Sequence, residues 1–285
     1  MILAQTIQSV CICGAGTMGS GIALLTAQQG VHTILYDVQA TMLSGARMGM
    51  EQSLQHLVEK GKITDQHRLD TLARLRFTND INDCLADIVI EAIVEKAAVK
   101  TSLFNQLAEI NHSEVIFATN TSSLSVTEIA RQVIRHERVA GMHFFNPAPV
   151  MKLVEVVATP FSNDFTLQCI TDFARQLGKT PVLCQDAPGF IVNHVARPYY
   201  LEALRLVESG ITDVAVIDSL LEASGFKMGP FRLMDLIGND VNYAVSCSVY
   251  DQLQQPERLQ PSALQREKVA KNELGRKSGK GYYQY

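Results

Sequence analysis

The chain has 285 residues, 47% of them hydrophobic, and its 25 basic and 29 acidic side chains give a formal charge of -4. At that length it can bury a sizeable core and is expected to divide into two domains. The near balance of charge offers no electrostatic footprint for nucleic acid or an anionic membrane surface, and no apolar run approaches bilayer length, so neither is an expected partner.

Met1 to Val10 contains no charged leader region, and a cytoplasmic location is expected, with a matrix location after removal of a short targeting leader as the alternative. Residues 7 to 13 form a short apolar, β-prone run ending in glycines, and His32 to Val38 is a second such run after a helical stretch. From Gln39 to about Phe77 the pattern is helical, with Leu54, Leu57, Val58 and then Leu69, Leu72, Leu75 at spacings of three and four, broken by Gly61. A helical hairpin is expected there. Strand candidates resume at Ile88 to Ile90, Val115 to Ala118, Val139 to Met142, Leu153 to Val157 and Pro181 to Cys184, mostly with helical segments between. Such alternation predicts an α/β fold, a largely parallel, doubly wound sheet covered on both faces. After Asp186-Ala187-Pro188-Gly189 the strands stop, and helix-period sequence punctuated by Gly210, Gly225 and Gly229-Pro230 follows. The expected domains are therefore 1–186, and 187–285 as an all-helical unit.

Cys11, Cys13, Cys84, Cys169, Cys184 and Cys247 lie in apolar stretches without zinc or redox spacing. They read as small buried hydrophobes in a reducing compartment, and no metal site is expected.

Gly14-Ala15-Gly16-Thr17-Met18-Gly19 sits between the first strand and the first helix, where a dinucleotide fingerprint acts. Gly14 permits the tight turn, Gly16 lets the backbone approach a pyrophosphate, and Gly19 allows close packing of helix on sheet, while the helix N-terminus supplies amides and a positive dipole. Asp37 closes the second strand about twenty residues on, where a carboxylate binds ribose hydroxyls and repels a 2′-phosphate. NAD is therefore expected over NADP.

Among seven histidines, only His143 and His194 stand outside polar or helical contexts. His143, in Gly141-Met142-His143-Phe144-Phe145-Asn146-Pro147, sits at the C-terminal end of a predicted strand, the edge at which such sheets bind ligands. A lone histidine there is often structural. Oxidation of a secondary alcohol, however, requires a base for the hydroxyl proton as hydride departs, and imidazole titrates in the useful range. Glu155 lies in the apolar run Leu153 to Val157, where burial without a partner would be costly, and His143 would serve as that partner. An edge-strand glutamate in water is the other reading. Asn120-Thr121-Ser122-Ser123 and Pro188 to Asn193 place neutral hydrogen-bonding groups at element ends, suited to a hydroxyl or a thioester carbonyl, or simply to helix capping.

At Gly14 to Gly21, Ile90-Glu91-Ala92, Asn120 to Leu124, Gly141 to Val156, Pro188 to Asn193, Gly229 to Gly238 and Gly275 to Tyr283 the chain closely resembles the 3-hydroxyacyl-CoA dehydrogenase family, in order and over nearly its whole length. The resemblance implies a Rossmann-type NAD-binding domain carrying the helical hairpin as an insertion, and an all-α C-terminal domain that forms a homodimer, with the active site in the cleft between domains. It implies NAD-dependent, reversible oxidation of (S)-3-hydroxyacyl-CoA to 3-oxoacyl-CoA, with His143 and Glu155 as the catalytic pair and Ser122 and Asn193 on the substrate. Asp37, Glu95, Lys100, Ser122, Asn146 and Lys277 would join the glycine turn, Gly14 to Gly19, in contacting NAD. Ser53 and Lys60 would contact CoA, where an ammonium suits the phosphates; Lys60 also reads as a solvated helix-end lysine. His194 stands where the family usually has arginine, which puts any salt bridge of that arginine in doubt.

Val195 to Tyr200 and Asp240 to Val249 look more like the phenylacetate-catabolism branch, which oxidises 3-hydroxyadipyl-CoA, than the short-chain branch. Arg197, one helical turn after Asn193, would then offer a guanidinium fork to the distal carboxylate; pairing with an acid such as Glu202, or a place in the dimer contact, are the alternatives. The competing functions are a 3-hydroxybutyryl-CoA dehydrogenase of butanoate metabolism, a dehydrogenase of free hydroxy acids with a lysine-centred site, and a non-catalytic NAD-bound protein of the same fold.

Overall fold

The computed structural model describes residues 7–285; residues 1–6, which begin the first expected domain and form part of the stretch read for a leader, lie outside the described residues. Two compact units divide after Asp186.

The first unit runs β1 (Ser9–Cys13), α1 (Thr17–Gln28), β2 (His32–Tyr36), α2 (Ala40–Glu59), α3 (Asp65–Ala73), β3 (Leu75–Thr78), β4 (Ile88–Glu91), α4 (Ala97–Ile110), β5 (Ile116–Thr119), α5 (Val126–Arg131), β6 (Val139–Phe144), β7 (Leu153–Ala158), α6 (Asp164–Gln176) and β8 (Thr180–Gln185). These strands form one eight-stranded sheet in the order β3-β2-β1-β4-β5-β6-β7-β8. Every neighbouring pair is parallel except β6 and β7.

Period-two alternation divides each strand between two cores. Val10 and Ile12 of β1 face a layer with Ile22 of α1, Leu54 of α2 and Phe173 of α6, whereas Cys11 and Cys13 face Phe104 of α4 and Ile129 of α5. A doubly wound sheet covered on both faces has strands buried at every position, such as Ile88–Glu91, whose first three residues are apolar. The cysteines behave as small hydrophobes in this packing: Cys11, Cys13, Cys84 and Cys169 are buried, and none of the six is in a disulfide.

One element departs from the sequence reading. The helical pattern assigned as far as Phe77 ends at Ala73, and residues 75–78 form the edge strand β3, parallel to β2. Leu75 and Phe77 both pack on the α1/α2 side, two residues apart, so the run has strand period; four residues are too few to distinguish that from the helical spacing of Leu69, Leu72 and Leu75.

The second unit contains α7 (Val192–Glu208), α8 (Val214–Ala223), α9 (Pro230–Ile237), α10 (Asn239–Gln252) and α11 (Ala263–Ala270), packed around Leu204, Phe231, Met234 and Val249. Two buried aspartates tie its C-terminal segment down. Asp235 accepts from the amides of Tyr282 (3.0 Å) and Tyr283 (2.9 Å), and Asp218 from the Tyr283 hydroxyl (2.7 Å) and the amides of Phe231 and Arg232. The approach is so close that a Cβ on Gly281 would stand 2.0 Å from Asp235 Oδ1, and one on Gly229 2.3 Å from Asp218 Oδ1. The motifs at Gly229 and Gly275 to Tyr283 thus have a packing cause.

Candidate active site

The C-terminal ends of the parallel strands place their following turns along one edge of the sheet. At β1, Gly14 adopts φ +106°, and a Cβ on Gly19 would lie 1.8 Å from Gly14 O, so only glycine lets α1 sit this close to the turn. α1 has no side-chain cap and no acid in its first turn, which leaves its leading amides and positive dipole to an anion. Nothing lies within 4 Å of where a Gly16 Cβ would project. The turn opens onto a cavity of about 700 Å³, walled by Asp37, Val38, Ile93, Val94 and Val99 as well as Gly14 and Gly16. Asp37 accepts from the Ala15 amide (2.8 Å) on Oδ2 and from the Gln39 amide (2.9 Å) on Oδ1, which holds its carboxylate at the mouth of the cavity. Apolar walls for a base, uncapped amides for a pyrophosphate and a fixed carboxylate for a ribose fit NAD.

Further along that edge stand the turns after β4, β5 and β6. His143 is the penultimate residue of β6, and in the antiparallel register with β7 its direct cross-strand partner is Glu155. Opposed residues of such a pair project from the same face, which is why two groups twelve positions apart meet. Nδ1 of His143 lies 2.7 Å from Glu155 Oε2, with the residues 5% and 1% exposed. The carboxylate is not in water at a sheet edge, since β8 covers the far side of β7. The Phe145 ring sits 4.6 Å from the imidazole, and Asn120 Oδ1 accepts from the Phe144 amide (2.8 Å), pinning the end of β6 to the turn after β5. In that turn Ser122 is partly exposed; Asn146, after β6, is exposed.

Glu95 and Lys100 form part of a charged cluster. Lys100 is only 1% exposed and donates to Glu91 Oε1 (2.6 Å) and Glu95 Oε2 (3.0 Å). Its ammonium is therefore internal, and what it offers the cofactor edge is the placement of Glu95, whose side chain is 40% exposed. Burial works to raise the Glu95 carboxyl, but the Lys100 charge and the bonds from Thr121, Lys100 and Ser123 outweigh it and hold the group below the usual carboxylate range. Sequence reasoning assigned no role to Glu91 or Lys179, although each is a charged residue within an apolar context. Lys179 is buried and donates to the carbonyls of Ala148 (2.6 Å) and Met151 (2.8 Å), closing the loop between β6 and β7.

Ser53 and Lys60 are exposed on α2 and at its C-cap, seven residues apart and so on one helix face. In the helical unit, Asn193 lies in the first turn of α7, and Lys277 pairs with Asp240 (2.5 Å). His194 Nδ1 is 3.0 Å from Pro188 O, a local bond that requires no salt bridge. The expectation for Arg197 needs correction. It is 2% exposed, and its guanidinium is engaged inside the unit by the carbonyls of Asn193 (2.9 Å) and Asn242 (3.0 Å) and by Ser246 Oγ (2.8 Å). Glu202 pairs with Arg205 instead. Burial lowers the Arg197 pKa to about 10. The side chain clamps α7 to α10 and presents no open fork to a ligand.

The fold and the glycine turn define a dinucleotide-binding protein of the Rossmann type. Residues 9–187 match the 3-hydroxyacyl-CoA dehydrogenase NAD binding domain, and residues 189–285 match the 3-hydroxyacyl-CoA dehydrogenase C-terminal domain. The chain is 47% identical over 281 residues to 3-hydroxyadipyl-CoA dehydrogenase of Escherichia coli, covering 98% of this chain and 59% of that protein. To the mitochondrial hydroxyacyl-coenzyme A dehydrogenase of Sus scrofa it is 39% identical, covering 98% of this chain and 91% of the relative. The crystal structure of (S)-3-hydroxybutyryl-CoA dehydrogenase from Ralstonia eutropha superposes with a TM-score of 0.92 at 36% identity, covering 98% and 99% of the two chains. The chain belongs to the 3-hydroxyacyl-CoA dehydrogenase family and is an NAD-dependent oxidoreductase of that family. Among the described residues no helix is long and apolar enough to cross a membrane, and no group of His, Cys, Asp or Glu is arranged to hold a metal.

Proposed function

We propose that this chain oxidises (S)-3-hydroxyacyl-CoA to 3-oxoacyl-CoA, reversibly, with His143 as the acid/base and Glu155 as its orienting carboxylate. The observation that carries the reading is the buried 2.7 Å contact between the two, at the same sheet edge as the glycine turn and Asp37. With the Nδ1 proton donated to Glu155, the imidazole takes the hydroxyl proton at Nε2, and the carboxylate stabilises the imidazolium that forms. NAD, when bound, supplies the hydride acceptor. Ser122 and Asn193 bind the substrate oxygen through neutral hydrogen bonds, and Ser53 and Lys60 hold the CoA moiety. Asp37, Glu95, Asn146 and Lys277 bind the cofactor, Lys100 through Glu95.

For the acyl chain, 3-hydroxyadipyl-CoA is proposed first and short-chain 3-hydroxyacyl-CoA second. The order rests on the segments Val195 to Tyr200 and Asp240 to Val249 and on the 47% identity to the E. coli relative. The helical unit is proposed to form the homodimer, since it exposes Ile211, Val216, Leu220 and Phe226 at and around α8. A reducing cytoplasmic location is proposed, in keeping with six cysteines none of which is in a disulfide.

NADH consumption with acetoacetyl-CoA tests the activity. His143→Ala is expected to lower turnover by at least about a hundredfold while NADH still binds, which is the usual worth of a general acid/base. Near-normal turnover in that variant would rule the assignment out. A panel of CoA thioesters of increasing chain length, with and without a terminal carboxylate, ranks the substrates.

A further inference from the structure

Glu91 is the last residue of β4, and every residue of that strand is buried. A carboxylate with no exposed surface in the middle of a sheet is costly unless paired and hydrogen-bonded. Its burial pushes the carboxyl up, against the lowering effect of Lys100, Thr119 and the Ile93 amide. Three donors meet it. The Ile93 amide (2.7 Å) and Lys100 Nζ (2.6 Å) bond to Oε1, and Thr119 Oγ1 (2.7 Å) bonds to Oε2.

The bonds continue outward. Lys100 carries a second bond to Glu95 Oε2, and Glu95 Oε1 accepts from the hydroxyls of Thr121 and Ser123 (2.9 Å for the latter). Those two residues flank Ser122. One carboxylate oxygen of Glu95 therefore straddles the turn that presents the Ser122 hydroxyl, and Thr121 Oγ1 closes the turn by accepting from the Leu124 amide (2.9 Å). In charge the cluster is one ammonium between two carboxylates. If Glu91 were neutral, Lys100 would keep a single counter-charge, and Glu95 would be drawn toward it, away from the hydroxyls on its other oxygen.

We propose that Glu91 is a positioning residue for the dehydrogenase reaction, acting through Lys100 and Glu95 to set the Thr121-Ser122-Ser123 turn and hence the place of the Ser122 hydroxyl. The inference rests on the reading of Ser122 as a substrate contact. A role confined to fastening α4 to the sheet makes a different prediction, because its effect would be independent of what stands at position 122.

The test is a double-mutant cycle on the full chain, with kcat and KM for acetoacetyl-CoA and NADH measured in wild type, Glu91→Gln, Ser122→Ala and the double variant. Glu91→Gln is expected to lower kcat about tenfold in the wild-type background but less than about twofold once Ser122 is alanine, with KM for NADH altered less than kcat. An equal fold-loss in both backgrounds, or an unchanged kcat, would overturn the proposal. If Glu91→Gln does not fold, Glu91→Asp, which keeps the charge but draws it back from Lys100 by one methylene, is read by the same criterion. A wild-type chain that consumes no NADH would overturn the functional reading and the inference with it, and Ser122→Ala with wild-type kcat would overturn the role of Ser122 and the inference; the cycle separates both from a failure at Glu91 alone.

Discussion

An imidazole exposed to only 5% has little freedom of orientation, so the group facing each nitrogen decides which of them carries the proton. At His143 that group is a carboxylate 2.7 Å from Nδ1. Glutamine at position 155 could still accept from Nδ1–H and hold the ring, but it would bring no charge to an imidazolium. Glu155→Gln is therefore expected to fold normally and to lose about ten- to a hundredfold in kcat, measured by NADH consumption, with KM for NADH nearly unchanged. A kcat within about twofold of wild type would leave the carboxylate with no part in the chemistry. Lys179 and Arg197 follow a related logic without an acid partner. Each is a buried cation bonded to backbone carbonyls, Lys179 across the loop that joins the two strands of the pair and Arg197 between α7 and α10. Burial lowers the pKa of both, the cost of holding charge where no counter-ion meets it.

The element that makes the pair is the β6–β7 hairpin, and its packing leaves little tolerance. Gly141 lies opposite Val157, and a Cβ on it would stand 2.7 Å from Val157 Cβ and 3.2 Å from Val126 Cγ2. Gly141→Ala should therefore cost about 1–3 kcal/mol in urea unfolding. Full stability in that variant would mean that the sheet yields there. The glycine was readable as part of a motif, but its cause was not, because the clash depends on an antiparallel register. That register has no local signal: Leu153 to Val157 reads as an apolar strand whichever way it runs, and the loop of 145–152 is long enough for either a hairpin or an irregular connection. His143 and Glu155 were each conspicuous by chemistry, an imidazole at a strand end and an acid in an apolar run, whereas their opposition in space came only with the pairing. β3 was hidden for the opposite reason, since Leu75 served two periodicities at once.

Across the whole molecule, the alternation of strands and helices up to residue 186 and its disappearance afterwards were plain in the sequence, because parallel strands buried on both faces are continuous apolar runs. The charged clusters were not, since Glu91 meets Lys100 and Asp235 meets Tyr282 only after helices and turns have folded back. Individual carboxylates in these clusters respond to acid with different signs. In the sheet unit Glu91 is raised by burial, so it binds a proton more readily folded than unfolded, and acidification relieves it. In the helical unit Glu273 lies between Lys268 (2.6 Å) and Lys280 (2.6 Å), and their hydrogen bonds and charges hold its pKa down at about 2, against an ordinary 4.5. A carboxylate depressed in the folded state contributes stability above its unfolded pKa and loses it as pH falls through the folded value. Glu222, bonded by Arg232 and the Gly229 amide, and Glu267, bonded by Lys271, are shifted the same way. Glu273→Gln should accordingly be less stable than wild type near neutral pH, with the gap in urea midpoint narrowing from about pH 4.5 downward and closing near pH 2. The shift should be small, because the group is close to solvent and screened by salt. A midpoint difference that stays constant across that range would show that Glu273 acts through packing of the segment around Gly275, with its charge of no consequence.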